Sequence, residues 1–282
     1  MNMLKTTPIL LLLLGSNSYS QLNQLPLPEV IKRIKPYIVA IEAKDDTILT
    51  ILNADTTRFQ SYGSGVFVGF SQNDIYAITN EHVIAIKDSM DKTIRYANEI
   101  KVSINVRGLG AVSFPAKIRK ISEHLDLAAL RVFTPTALRD SIDVMAMPPT
   151  LWEEEKNLQE GDVVLYTGYP LLLGRGQKNY PLTRWGMISQ IIPGDSTFLI
   201  DAFVQPGYSG SPVFLIRSVG NNIPTQWTFR FVGLTSSYPY RFMPIYRKVQ
   251  YIEIPNIVVP ENPGFSIVVG ISALKHLFNL TK

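Results

Sequence analysis

From Pro36 onward the chain is dominated by short runs of β-branched and aromatic residues, set apart by Gly, Pro, Asn and Asp. Residues 38–41, 47–52, 65–70, 75–79, 100–106 and 127–133 form a first group of such runs. Residues 163–167, 183–192, 197–203, 213–216 and 229–235 form a second. Side chains branched at Cβ pack well on a pleated surface, so each run predicts a strand, and many short strands at near-regular spacing predict an all-β sandwich or a pair of barrels. The polar, Pro-containing stretch 147–161 divides the two groups. Helical spacing is confined to residues 27–35, with Pro28 near the start, to a short turn at 82–86, and to 273–280 at the end. Residues 237–263 mix Tyr, Arg and Pro without alternation and read as an extended loop, with room for a strand at 249–254.

The first residues break from this pattern. Lys5 precedes an apolar run at residues 9–14 that is too short to span a bilayer, and Ser18-Tyr19-Ser20 supplies a small-x-small site before Gln21. Residues 1–20 are therefore expected to be a signal peptide cut after Ser20, the alternative being an uncleaved anchor. The chain has no cysteine, so an exported product would carry neither a disulfide nor a lipid on cysteine. Cleavage leaves 282 − 20 = 262 residues and, with Lys5 gone, lowers the net charge from +4 to +3. That mild, interspersed excess gives no reason to expect nucleic-acid binding, and no second apolar stretch predicts membrane insertion. With no cysteine and the three histidines far apart, no metal site and no cofactor are expected.

Candidate chemistry centres on Gly207-Tyr208-Ser209-Gly210-Ser211-Pro212. Glycines on both sides of a serine let the backbone turn tightly and aim N–H groups at one point, as oxyanion stabilisation requires, although the same composition also makes ordinary turns. His82 follows directly on the alternating run 75–79, where a rigid strand end would hold it at a cleft. His124 and His276 read as surface residues. Asp126 precedes the apolar run Leu127-Ala128-Ala129-Leu130; a carboxylate there either accepts from an imidazole N–H or bonds nearby backbone. The order His82, Asp126, Ser209 puts the first two before the break at 147–161 and the serine after it.

Thr79-Asn80-Glu81-His82-Val83, Asp126-Leu127-Ala128-Ala129-Leu130 and Pro206-Gly207-Tyr208-Ser209-Gly210-Ser211-Pro212 resemble the three active-site blocks of the trypsin-like serine proteases, nearest the HtrA (Deg) branch. Tyr166-Thr167-Gly168-Tyr169-Pro170, Gly186-Met187-Ile188-Ser189 and Phe265-Ser266-Ile267-Val268-Val269 extend the likeness. The resemblance implies two six-stranded antiparallel Greek-key β-barrels with a short C-terminal helix: residues 21–146 carrying His82 and Asp126, a linker at 147–161, and residues 162–282 carrying Ser209. It implies Ser209 as nucleophile, His82 as general base, Asp126 orienting the imidazole, and the backbone N–H groups of Gly207 and Ser209 as the oxyanion hole. Phe203, Val204, Leu234, Thr235 and Ser236 would line the substrate pocket. None is charged, so cleavage after uncharged side chains is expected.

The implied protein is a serine endopeptidase acting on polypeptides, periplasmic or secreted; the alternative is a trypsin-fold binding module that has lost catalysis. An α/β-hydrolase using Ser209, Glu253 or Glu261, and His276 fits less well, because Ser211 and Pro212 lead into a strand-like run rather than a helix. Tyr208 and Ser211 depart from the family pattern, and Tyr208 is expected to alter the cleft wall. The C-terminal PDZ domain common in that branch is not expected after the terminal helix. Homo-oligomers occur there, but no residue read from the sequence specifies a subunit contact. Any switching is expected from ordering of loops such as 169–182.

Overall fold

The computed structural model describes residues 25–49, 57–71, 74–88, 90–219, 226–237, 241–247, 252–261 and 263–280. Strands β1 (Ile38–Leu49), β2 (Thr57–Ser71), β3 (Asp74–Thr79), β6 (Glu99–Val106), β7 (Gly110–Ser122) and β8 (Leu127–Val132) close into a barrel in the order β1-β2-β3-β8-β7-β6. A small hairpin of β4 (Ala85–Lys87) and β5 (Thr93–Tyr96) stands outside it. In the second half, β9 (Val163–Gly168), β10 (Leu182–Ile191), β11 (Thr197–Asp201), β12 (Pro212–Val219), β13 (Gln226–Thr235) and β16 (Phe265–Gly270) close in the order β10-β11-β16-β13-β12-β9. A hairpin of β14 (Arg241–Arg247) and β15 (Ile252–Glu261) is separate. Ladder pairing in both barrels is antiparallel, and closure leaves neither sheet an open edge.

Alternation along the strands explains the three apolar clusters among the described residues. Val39 and Ile41 point into the first barrel with Phe67, Val102 and Leu130, whereas Ile38 and Ala40 point outward into the seam between barrels. The second barrel repeats the arrangement: Val164, Tyr166, Val213 and Leu215 fill its interior, and Leu165, Phe214 and Ile216 face the seam. Strands at the seam are thus buried on both faces, which is why they read as continuous apolar runs. Complete burial of such a side chain contributes about 1.5–3 kcal/mol.

Two helices lace the halves together. Helix α1 (Leu27–Ile34) precedes the first barrel, yet Leu25 pairs with Trp227 of β13, and Val30 and Ile34 pack in the seam. Helix α2 (Ile271–Leu277) follows the second barrel, yet Lys120 of β7 donates to the Leu277 carbonyl at 3.2 Å, and Phe278 stacks on Phe70 and Tyr76.

Several elements differ from their sequence expectation. The stretch expected to be an extended loop contains the β14–β15 hairpin; Pro244, Pro255 and Pro260 disguise it, since proline is tolerated only at strand edges and bulges. Strand β7, absent from the expected set, alternates Phe114, Ala116 and Ile118 with Pro115, Lys117 and Arg119, a pattern too polar to stand out among fully apolar runs. The run at 47–52 enters the structure only as the end of β1; its remainder lies outside the described residues, as does the proposed signal peptide. Helix α2 begins before Ala273 because the Glu155 carboxylate accepts from the Ser272 N–H at 3.0 Å, a partner no local pattern reveals.

Phe231 is fully buried in the seam, 6.0 Å from the Phe214 ring and 6.2 Å from Trp152. Phe231→Ala is expected to cost about 3–5 kcal/mol of folding stability, read from urea unfolding midpoints.

Candidate active site

Strands β3 and β8 are barrel neighbours, with Thr79 paired to Ala128, so the residues just past one and just before the other meet at the same end. His82 lies in the single turn Glu81–Val83 after β3, and Asp126 immediately precedes β8. Asp126 has φ 50, a left-handed conformation that aspartate tolerates better than most residues, and its own carbonyl accepts from Asn80 Nδ2 at 3.0 Å. His82 Nδ1 lies 2.8 Å from Asp126 Oδ2 and 3.0 Å from Oδ1, while the His82 main-chain N–H donates to Oδ1 at 3.0 Å. From the second barrel, just beyond β13, Ser236 Oγ donates to Oδ2. Burial by itself pushes the Asp126 carboxyl up, but the hydrogen bonds and charge of His82, with the Ser236 hydroxyl, outweigh it and hold the group below its ordinary range.

Ser209 lies on the loop between β11 and β12, and its Oγ is 2.8 Å from His82 Nε2. Gly207 and Gly210 have φ of 95 and 79, and a Cβ at Gly210 would stand 2.2 Å from the Ser64 carbonyl oxygen, so this turn admits only glycine there. The carbonyls of residues 206–209 are all engaged. That of Pro206 accepts from Leu171 N–H at 2.8 Å, Gly207 from Ser64 Oγ at 2.7 Å, Tyr208 from Thr235 Oγ1 at 2.6 Å, and Ser209 from Ser64 N–H at 2.8 Å. Among the described residues, the N–H groups of Gly207 and Ser209 have no protein acceptor. Two free amides beside a hydroxyl that contacts an imidazole can stabilise negative charge on a carbonyl oxygen under attack.

The other expected site residues are placed differently. Tyr208 is fully buried and points into the second barrel, edge-on to Tyr166 at 5.1 Å, so it does not form part of the cleft wall. Packed among Tyr166, Val204 and Val213 of the second barrel's core, the phenol is pushed up by its burial. Val204 is packed in the second barrel's core and Leu234 in the seam, where neither meets solvent as a pocket wall would. Thr235 is buried beneath the serine loop; Ser236 contacts Asp126; Phe203 is exposed. Ser211 is buried against Gly168, where a Cβ would fall 1.9 Å from its Oγ. Ser64 was not singled out from the sequence, although it holds two loop carbonyls; its only local signal is the pair of flanking glycines.

Two closed six-stranded antiparallel barrels, with these residues converging at their seam, make a trypsin-like fold. The structure of the HtrA-type protease AlgW with tripeptide superposes with a TM-score of 0.53 at 16% identity, over 89% of this chain and 62% of that one. The magnetosome formation protease MamE of Paramagnetospirillum magneticum is 26% identical over 175 residues, 61% of this chain and 21% of its own length. The chain thus spans less than two thirds of either relative. Residues 63–218, more than half of the chain, match the model of the trypsin-like peptidase domain, and the protein belongs to that family.

The depressed Asp126 carboxyl fixes a sign for pH dependence. A folded-state pKa below the unfolded one adds stability that is complete above about pH 4 and disappears as pH falls through the folded value. Melting temperatures between about pH 5 and pH 2, the range in which an ordinary carboxylate takes up its proton, should fall less steeply for Asp126→Asn than for the wild-type chain.

Proposed function

We propose that this protein is an exported serine endopeptidase that hydrolyses polypeptides through an acyl-enzyme formed on Ser209. The observation that carries the reading is the unbroken contact from Ser209 Oγ to His82 Nε2 at 2.8 Å and from His82 Nδ1 to Asp126 Oδ2 at 2.8 Å. His82 Nε2 takes the hydroxyl proton as Ser209 Oγ attacks the scissile carbonyl carbon. The resulting imidazolium is stabilised by the ionised Asp126, which accepts from Nδ1–H and keeps the ring in the tautomer that leaves Nε2 free as a base. The oxyanion receives the Gly207 and Ser209 N–H groups. Collapse of the tetrahedral species returns the proton from Nε2 to the departing amine, and water then follows the same route to release the acid.

Export is supported by the charge, apolar core and cleavage site of residues 1–20.

A fluorophosphonate probe should attach to Ser209 in the wild-type chain and to neither Ser209→Ala nor His82→Ala; a folded chain that takes no label would favour the non-catalytic binding module. Asp126→Asn should retain the fold and lose ~10,000-fold in kcat by analogy with the equivalent change in a well-studied triad. N-terminal sequencing of the exported product should begin at Gln21.

A further inference from the structure

The segment 169–181, between β9 and β10, leaves the second barrel, docks on the first and returns. At its far end it is fastened by a reciprocal pair. The Asn179 N–H donates to Asn105 Oδ1 at 2.7 Å, and Asn105 Nδ2 donates back to the Asn179 carbonyl at 2.8 Å, so a β6 side chain satisfies both main-chain groups of one segment residue. The Asn179 side chain is buried and donates to Ser103 Oγ at 2.9 Å. Next to this pair the Ala111 N–H of β7 donates to the Gln177 carbonyl at 2.6 Å, and the Arg175 guanidinium covers the Tyr62 ring at 5.2 Å.

At its near end the segment touches the serine loop. Leu171 and Leu172 both have positive φ, at 47 and 62, a conformation that leucine keeps only where its surroundings impose it. In that conformation the Leu171 N–H reaches the Pro206 carbonyl at 2.8 Å. The Pro206–Gly207 peptide is planar and trans, so turning its carbonyl toward Leu171 turns the Gly207 N–H to the opposite side. A half-turn of this one peptide would replace the donor with an acceptor and remove half of the oxyanion hole.

We propose that Asn105 and Asn179 are positioning residues for this reaction: their mutual pair fastens residues 169–181 to the first barrel, and the fastened segment, through Leu171 N–H, holds the Gly207 amide in its donating orientation. The proposal rests on the hydrolase reading above. Neither asparagine touches the serine, the imidazole or the carboxylate, so their effect reaches the chemistry only through the orientation of a peptide that stabilises the transition state.

The test is Asn105→Ala, assayed on a small peptide ester. The expected result is a fall in kcat of ~10-fold or more with KM within about twofold, since an oxyanion donor acts in the transition state rather than in ground-state binding. The variant should still melt in one cooperative transition, and limited digestion with trypsin should cut faster after Arg175 and Lys178. Should Asn105→Ala fail to fold, Asn179→Ala, which keeps the main-chain pair but loses the Ser103 bond, is read in the same way and should show the same changes in smaller degree. Wild-type kcat in a variant whose segment is cut faster overturns the proposal, because the segment would then loosen without disturbing the hole. A loss of kcat with no change in the rate of cutting overturns it as well. A wild-type chain that neither turns over ester nor takes the fluorophosphonate label overturns the hydrolase reading itself, a result separate from either of these.

Discussion

The site depends on the apolar seam between the barrels. His82 and Asp126 belong to the first barrel, while Ser209 and Ser236 belong to the second, and the bonds that cross that boundary, Ser209 Oγ to His82 Nε2 at 2.8 Å and Ser236 Oγ to Asp126 Oδ2, tolerate little relative movement. What prevents movement is the outward face of β1, β8, β9 and β12, where Ile38, Leu127, Leu165 and Phe214 interdigitate away from water. Close packing of this kind resists sliding because any shift opens voids without offsetting contacts. The polar relay therefore has its geometry set by a neighbouring layer with no polar function of its own.

On that layer the serine loop is held from several sides at once. Ser64 bonds two of its carbonyls, Thr235 a third and Leu171 a fourth, while Tyr208 fills the barrel beneath it. Each of these contacts leaves the Gly207 and Ser209 amides uncommitted. Preorganised donors of this sort stabilise developing charge without having to reorient when it appears.

Much of this was legible in the sequence, for identifiable reasons. Both-face burial at the seam made strands such as β8, β9 and β12 conspicuous as apolar runs, and the order of His82, Asp126 and Ser209 stood out because the chain has only three histidines. What escaped were features whose cause lies far along the chain. Ser64 works through contacts to residues 207 and 209, the Glu155 cap on α2 spans more than a hundred residues, and Asn105 meets Asn179 only because two barrels adjoin. Tyr208 escapes for a related reason: beside Ser209 an aromatic ring reads as a wall of the cleft, whereas the partners that bury it, Tyr166 among them, lie on strands distant in sequence.

The crossing of the two helices carries a further consequence. Because α1 comes before the first barrel but rests on the second, and α2 comes after the second but reaches the first, the first and last described elements are each tied down by the half they do not belong to. Neither barrel can open without also releasing a terminal helix from its partner, which couples the two halves into one cooperative unit. For the proposed peptidase this matters directly: fraying at chain ends is a usual point of entry for proteases, and here the first and last described elements are each held by the half of the fold they do not belong to.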